Sequence, residues 1–175
     1  PTKAIPFDKL SKRTASEQWV HFYTDDYKFE CVWKYPHRYL PRFQRLAGVI
    51  TPDFSLLRAM PVAMQIFNTY RNRVFAYWLQ SQGVSIGPNV RWGNEDTYGF
   101  VFEGLPTGGS VAVSTVGSLQ KPIDRYYFRN GLAAMVERIS PVTIINYGTA
   151  PDDIFGEYRE RKIEVVEITY YMDSK

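Results

Sequence analysis

Gly48-Val49-Ile50-Thr51-Pro52-Asp53-Phe54-Ser55, then the long pattern Pro61–Gln82, then Val84-Ser85-Ile86-Gly87-Pro88, is the stretch that decides the fold class. Two short apolar runs rich in β-branched residues flank a segment of helical period, which is how a parallel pair of strands joined by a crossover helix reads. The helix opens with Pro61 at a first-turn position and closes at Gly83. Its apolar residues Ala63, Ile66, Phe67, Tyr70, Val74, Tyr77 and Trp78 recur at three- and four-residue spacing and predict one buried stripe. Asn68, Arg71 and Asn72 form a polar strip beside it.

Working outward, the same signal recurs. Apolar runs end in polar clusters at Thr24-Asp25-Asp26, Thr51–Ser55, Asn89–Gly93, Ser114-Thr115 and Asn146–Thr149. Six strands are expected at 19–23, 48–51, 84–88, 110–114, 142–146 and 163–168. A second helix is expected over Pro122–Ile139, with the stripe Phe128, Leu132, Met135, Val136 and Ile139, and a third near Pro151–Lys162. Weaker helical patterns cover Pro36–Leu46 and Asn94–Phe102. Alternation of this kind implies right-handed crossovers and a mainly parallel sheet, as an open sheet or a partial barrel. The expectation is one α/β domain over residues 1–175, with 1–18 an extended or loosely packed segment.

The length suits a single domain, and 45% hydrophobic with 22% charged residues is ordinary for a globular chain. Aromatic content of 16% is high, which fits an aromatic core or a surface that stacks on bases or proteins. Cys31 is the single cysteine, so an internal disulfide and a CxxC metal site are excluded and a cytoplasmic setting is expected. No run of about 18 apolar residues predicts a membrane span, and the amino terminus lacks the apolar stretch of a signal peptide. The net charge of +3 divides unevenly. Residues 1–92 carry thirteen Lys/Arg against six Asp/Glu, or +7, and residues 93–175 carry eight against twelve, or −4. The basic set, Lys9, Lys12, Arg13, Lys34, Arg38, Arg42, Arg45, Arg58, Arg71 and Arg73, fits a polyanionic partner or scattered solvated charge.

In a parallel α/β sheet the polar clusters lie on one rim, at the carboxyl ends of the strands, where such folds bind ligands. Pro52 holds Asp53 and Ser55 in a stiff turn. Asp53 suits a Mg²⁺ ligand or a base, or else an Asx-turn to its own backbone. Asp25 and Asp26 come near Asp53 if the first two of these strands are neighbours, and three carboxylates on one rim could share a divalent ion; the other reading is a solvated turn. Strand alternation puts Asn89 and Arg91 on one side of the chain. A guanidinium there can clamp a phosphate or carboxylate, or pair locally with Glu95 or Asp96. Ser114–Ser118 is a weak phosphate loop without a GxGxxG or GKS signature. Asp152-Asp153 has a sufficient explanation as a helix start, and the preceding Asn146 and Tyr147 are better ligand contacts. His21 and His37 lack metal spacing, and Cys31 lacks a base partner.

Ile50-Thr51-Pro52-Asp53-Phe54-Ser55-Leu56, Asn68-Thr69-Tyr70-Arg71-Asn72-Arg73, Asn89-Val90-Arg91-Trp92 and Tyr147-Gly148-x-Ala150-Pro151-Asp152-Asp153 form an ordered set. Through it the chain resembles a family of bacterial, phage and mobile-element proteins without an assigned activity, over roughly residues 45–168. The resemblance implies that Asp53, Asn68, Arg71, Asn89 and Arg91 belong to the family pattern.

The expectation drawn from these residues is a phosphate-bearing ligand, nucleotide or nucleic acid, at the carboxyl rim. Asp53 and Arg91 would be the catalytic residues, Asn89, Asn68, Ser55, Ser114 and Tyr147 would contact the ligand, and Asp25, Asp26 and Asp53 would hold Mg²⁺. If catalytic, the chemistry would be metal-assisted phosphoester cleavage of a phosphoesterase or nuclease-like kind. The alternative is a non-catalytic accessory protein whose basic, aromatic surface binds a host protein or DNA.

Overall fold

A computed structural model describes residues 3–11 and 13–169; Lys12, in the basic set above, lies outside them. Among the described residues there are seven strands: β1 (Ala4–Pro6), β2 (Trp19–His21), β3 (Gly48–Ile50), β4 (Ile86–Gly87), β5 (Ser110–Ser114), β6 (Thr143–Tyr147) and β7 (Glu164–Ile168). The helices are α1 (Asp26–Lys34), α2 (Pro36–Phe43), α3 (Val62–Ser81), α4 (Tyr98–Val101), α5 (Pro122–Ile139) and α6 (Asp152–Glu160), with short 3₁₀ turns at Phe7–Lys9 and Glu95–Thr97. All ladders are parallel, in the orders β1-β2-β3-β4 and β5-β6-β7. One bridge, Asn89 with Ala112, joins the two sheets through Val90 N–H to Ala112 O and Ala112 N–H to Pro88 O, both 2.8 Å.

Strands laid down in chain order with right-handed crossovers put their helices on one face and curl the sheet the other way. The ring contacts measure that curl. Four strand spacings of about 4.8 Å would hold β2 and β6 roughly 19 Å apart in a flat sheet. Instead His21 and Tyr147 have ring centroids 4.3 Å apart, and Tyr23, just beyond β2, stacks on Tyr147 at 5.0 Å. The sheet is therefore a partial barrel, and among the described residues no ladder closes β7 onto β1.

Strand alternation then separates an inside from an outside. Ala4, Ile50, Ala112, Ile145, Tyr147 and Ile168 form the inner cluster, with Trp19 packed against it. The intervening Val20 and Val49 face α1, α2 and α3, and Val111, Val113 and Ile144 face α4, α5 and α6. Gly48 is required here, since a Cβ on it would lie 2.5 Å from the Trp19 indole. The ring fills the space between strands that a barrel of this size must pack with side chains.

The amino-terminal segment, expected to be extended or loosely packed, contributes β1, an edge strand beyond the six expected, whose pairing Ala4 to Trp19 through Pro6 to His21 starts the sheet. Two expectations need correction. Asp26–Lys34 is a helix, α1, with Phe29 and Val32 buried, where only a turn was expected at its start. The second correction is α3. Its stripe Ala63, Ile66, Phe67, Tyr70, Val74 and Tyr77 is exposed, while Gln65, Asn68, Arg71, Asn72, Phe75, Ala76 and Leu79 face inward. The reason is the ladderless segment 51–60 beneath it, whose carbonyls need donors that no strand supplies. Asn72 donates to Pro52 O at 2.6 Å, Asn68 to Ser55 O at 2.7 Å and Gln65 to Met60 O at 2.7 Å. Arg71 pairs with Glu30 at 2.8 Å and lies over the Phe54 ring at 3.8 Å.

Candidate functional site

The segments leaving β2, β3, β4 and β5 converge over the barrel mouth and enclose a cleft of about 640 Å³. Its floor is a chain of polar side chains. Tyr23 donates its hydroxyl to Asn89 Oδ1 at 2.9 Å, Asn89 Nδ2 donates to Asp53 Oδ1 at 2.8 Å, and Arg91 Nη1 donates to Asp53 Oδ2. The Asn89 backbone is engaged as well, its N–H donating to Thr51 Oγ1 at 2.8 Å and its carbonyl accepting from Arg73 at 3.3 Å. The two-residue alternation that puts Asn89 and Arg91 on one side of their strand end brings both onto Asp53, which projects from the stiff Thr51-Pro52 turn.

The electrostatics follow from this geometry. Asp53 is 7% exposed with both oxygens engaged, while the Arg91 side chain remains 37% exposed along the cleft. The Asp53 charge holds the Arg91 pKa above its ordinary value. Burial, reinforced by Asp53, pushes the Tyr23 hydroxyl well above the usual tyrosine range, so it stays a neutral donor. Beneath them His21 is fully buried, accepts the Tyr23 N–H at Nδ1 (3.2 Å), and has its pKa lowered to about 4 by that burial.

The other expected site residues are distributed differently. Asp26 spends both carboxylate oxygens on Ser55, accepting from its N–H at 3.1 Å and its hydroxyl at 2.9 Å, so that pair pins the start of α1 to the turn after β3. Asp25 lines the cleft with Lys28 beside it at 3.5 Å. The three carboxylates expected to share a divalent ion thus point at three separate partners. Among the described residues no group of three or more His, Cys, Asp or Glu side chains is placed to hold a metal. Asn68 lies behind the turn, between Ser55 O and Arg71 (2.6 Å), rather than in the cleft. Ser114 lines the cleft and caps its own loop by accepting from the Val116 N–H at 3.2 Å. Tyr147 is buried under Tyr23.

Sequence reasoning missed the far wall. Arg58 crosses the cleft to Asp124 of α5 at 2.8 Å and lies over the Tyr127 ring at 4.5 Å. Trp92 reaches the same helix, its indole N–H donating to Tyr127 O at 3.1 Å. An acid at the first turn of α5 is a common helix start, which hides Asp124 in the sequence.

A domain of unknown function, DUF4417, matches residues 1–169, and the chain belongs to that family. It is 45% identical over 130 residues to the Gene 1 protein of Mycobacterium phage D29, covering 74% of this chain and 48% of that one. It is 42% identical over 130 residues to the Gene 1 protein of Mycobacterium phage L5, covering 74% and 56%. The matched region thus spans about half the length of these curated relatives. No solved structure matches the chain. Among the described residues no helix is long and apolar enough to cross a membrane.

Proposed function

We propose that this member of the DUF4417 family binds a phosphate-bearing ligand of nucleotide size in the cleft, with Arg91 as its anion contact. The observation that carries this reading is Arg91 itself. One guanidinium nitrogen is spent on Asp53, and the remaining donors of the fork have no protein hydrogen bond among the described residues. A guanidinium fixed in place by a buried carboxylate, yet open on one side, is pre-organised for bidentate contact with phosphate or carboxylate. Asp53 in this reading positions Arg91, and Asn89 and Tyr23 position Asp53. The cleft volume falls in the range of small-molecule sites, and the Arg58–Tyr127 stack offers a flat surface for a base.

Differential scanning fluorimetry with mono- and dinucleotides, short oligonucleotides and inorganic phosphate, each with and without Mg²⁺, tests it. A ligand at about a hundred times its Kd should stabilise the native state by roughly 2.7 kcal/mol. Arg91→Ala should abolish that shift while keeping the fold, and Arg91→Lys should restore little of it. A nucleotide shift that survives Arg91→Ala, or the lack of any shift across the panel, would refute the assignment.

A further inference from the structure

The outward face of α3 carries no charge. The helix holds two charged side chains, Arg71 and Arg73, and both turn inward, Arg71 to Glu30 and Arg73 to the carbonyls of Glu103 and Asn89. What faces out is Ala63, Ile66, Phe67, Tyr70, Val74 and Tyr77, with Tyr70 55% and Tyr77 75% exposed. Soluble proteins rarely leave so continuous an apolar patch open, and one of this kind marks an interaction site.

We infer that this face pairs two copies of the chain through antiparallel packing of α3 on α3. Three observations choose a second copy over another partner. Ala63, Phe67, Tyr70, Val74 and Tyr77 follow the alternating four-three spacing of a helix-pairing seam. In a two-fold contact each side chain near the axis meets its own copy, so any charge there would repel itself; a face without charge meets that condition. A polyanion or an acidic peptide, by contrast, would find no cation on it. The exposed surface of these side chains, with Val62 at the start of the face, is roughly 650–750 Å² per copy, toward the lower end of what each partner gives to a standard interface.

The residue sizes set the direction. Antiparallel packing centred on Tyr70 places small Ala63 opposite large Tyr77 and Phe67 opposite Val74, which fills the seam evenly; parallel packing would set Tyr77 against Tyr77 and leave a gap at Ala63. The helix dipoles also oppose favourably. The inner side of the same helix bonds to Pro52 and Ser55, so the pairing would clamp the element that supports the Asp53 turn.

Light scattering on the 175-residue chain should give twice its 20.3 kDa mass at micromolar concentration, and Tyr70→Glu should halve it with the circular dichroism spectrum and melting cooperativity unchanged. In a Cys31→Ser background, oxidised Tyr70→Cys should cross-link across the axis. Val62→Cys, eight residues away and so about 24 Å from its copy, should not. A monomer at about 100 µM, where a dimer of micromolar Kd is mostly formed, a Tyr70→Glu protein that stays dimeric, or cross-linking at Val62→Cys would each overturn the proposal. The first of these outcomes would leave the face to a different protein.

Discussion

With no surface exposed and its pKa lowered to about 4, His21 is held neutral under Tyr23 and Tyr147. The unfolded chain takes up that proton near pH 6.5, so the unfolded state binds more protons across the interval from 6.5 down to 4. Stability is therefore complete above pH 6.5 and lost as the pH falls through that window, by up to about 3 kcal/mol at 1.36 kcal/mol per pH unit. Urea unfolding at pH 7 and pH 5 should show a drop in the wild type that His21→Gln largely flattens. Asn72 is a second residue whose role is measurable in isolation. Its amide supports Pro52 O and Thr51 Oγ1 (3.1 Å), so Asn72→Ala leaves a buried carbonyl without a donor and should cost about 1–3 kcal/mol in the same assay. At this scale the sequence was most legible where one local rule fixed direction, as for Asn89 and Arg91. Tyr23 and Arg58 were illegible because their partners lie 66 residues away in each case.

Helices read well when the layer beneath them is apolar. The α5 stripe Phe128, Leu132, Met135, Val136 and Ile139 is buried as its spacing predicts, because the outer faces of β5 and β6 are valine and isoleucine. Under the first half of α3 lies bare backbone instead, and hydrogen-bond demand overrides hydrophobic period. α1 escaped notice because its start reads as an acidic turn and its Cys-Val-Trp run favours helix only weakly. Inside α5, Gly131 meets the Trp92 indole so closely that a Cβ would lie 2.0 Å from its nitrogen. Helix propensity alone says Gly131→Ala should gain about 1 kcal/mol. Overpacking against the ring should reverse the sign, to a net loss of about 1–2 kcal/mol. In a Trp92→Ala background the same change should stabilise, and a double-mutant cycle of thermal unfolding would read that reversal.

For the whole molecule, the parallel order was legible from alternation, but the curl was not. A run of strands in chain order has the same sequence signature open or closed, and only contacts between distant strands, such as His21 with Tyr147, distinguish them. The seam between the two sheets carries a further meaning. β5 and β6 are laced over five residue pairs, whereas the segment just after β4 meets β5 through two backbone bonds, made by Pro88 and Val90, directly below the cleft. Tyr23, Asp53 and Arg91 stand on one side of that joint and Ser114, Asp124 and Tyr127 on the other. Arg58 and Asp124 form a latch across the opening above that joint. Where the backbone lacing is thin, side chains hold the cleft walls together: the Arg58–Asp124 pair above, and His21 and Tyr23 against Tyr147 below.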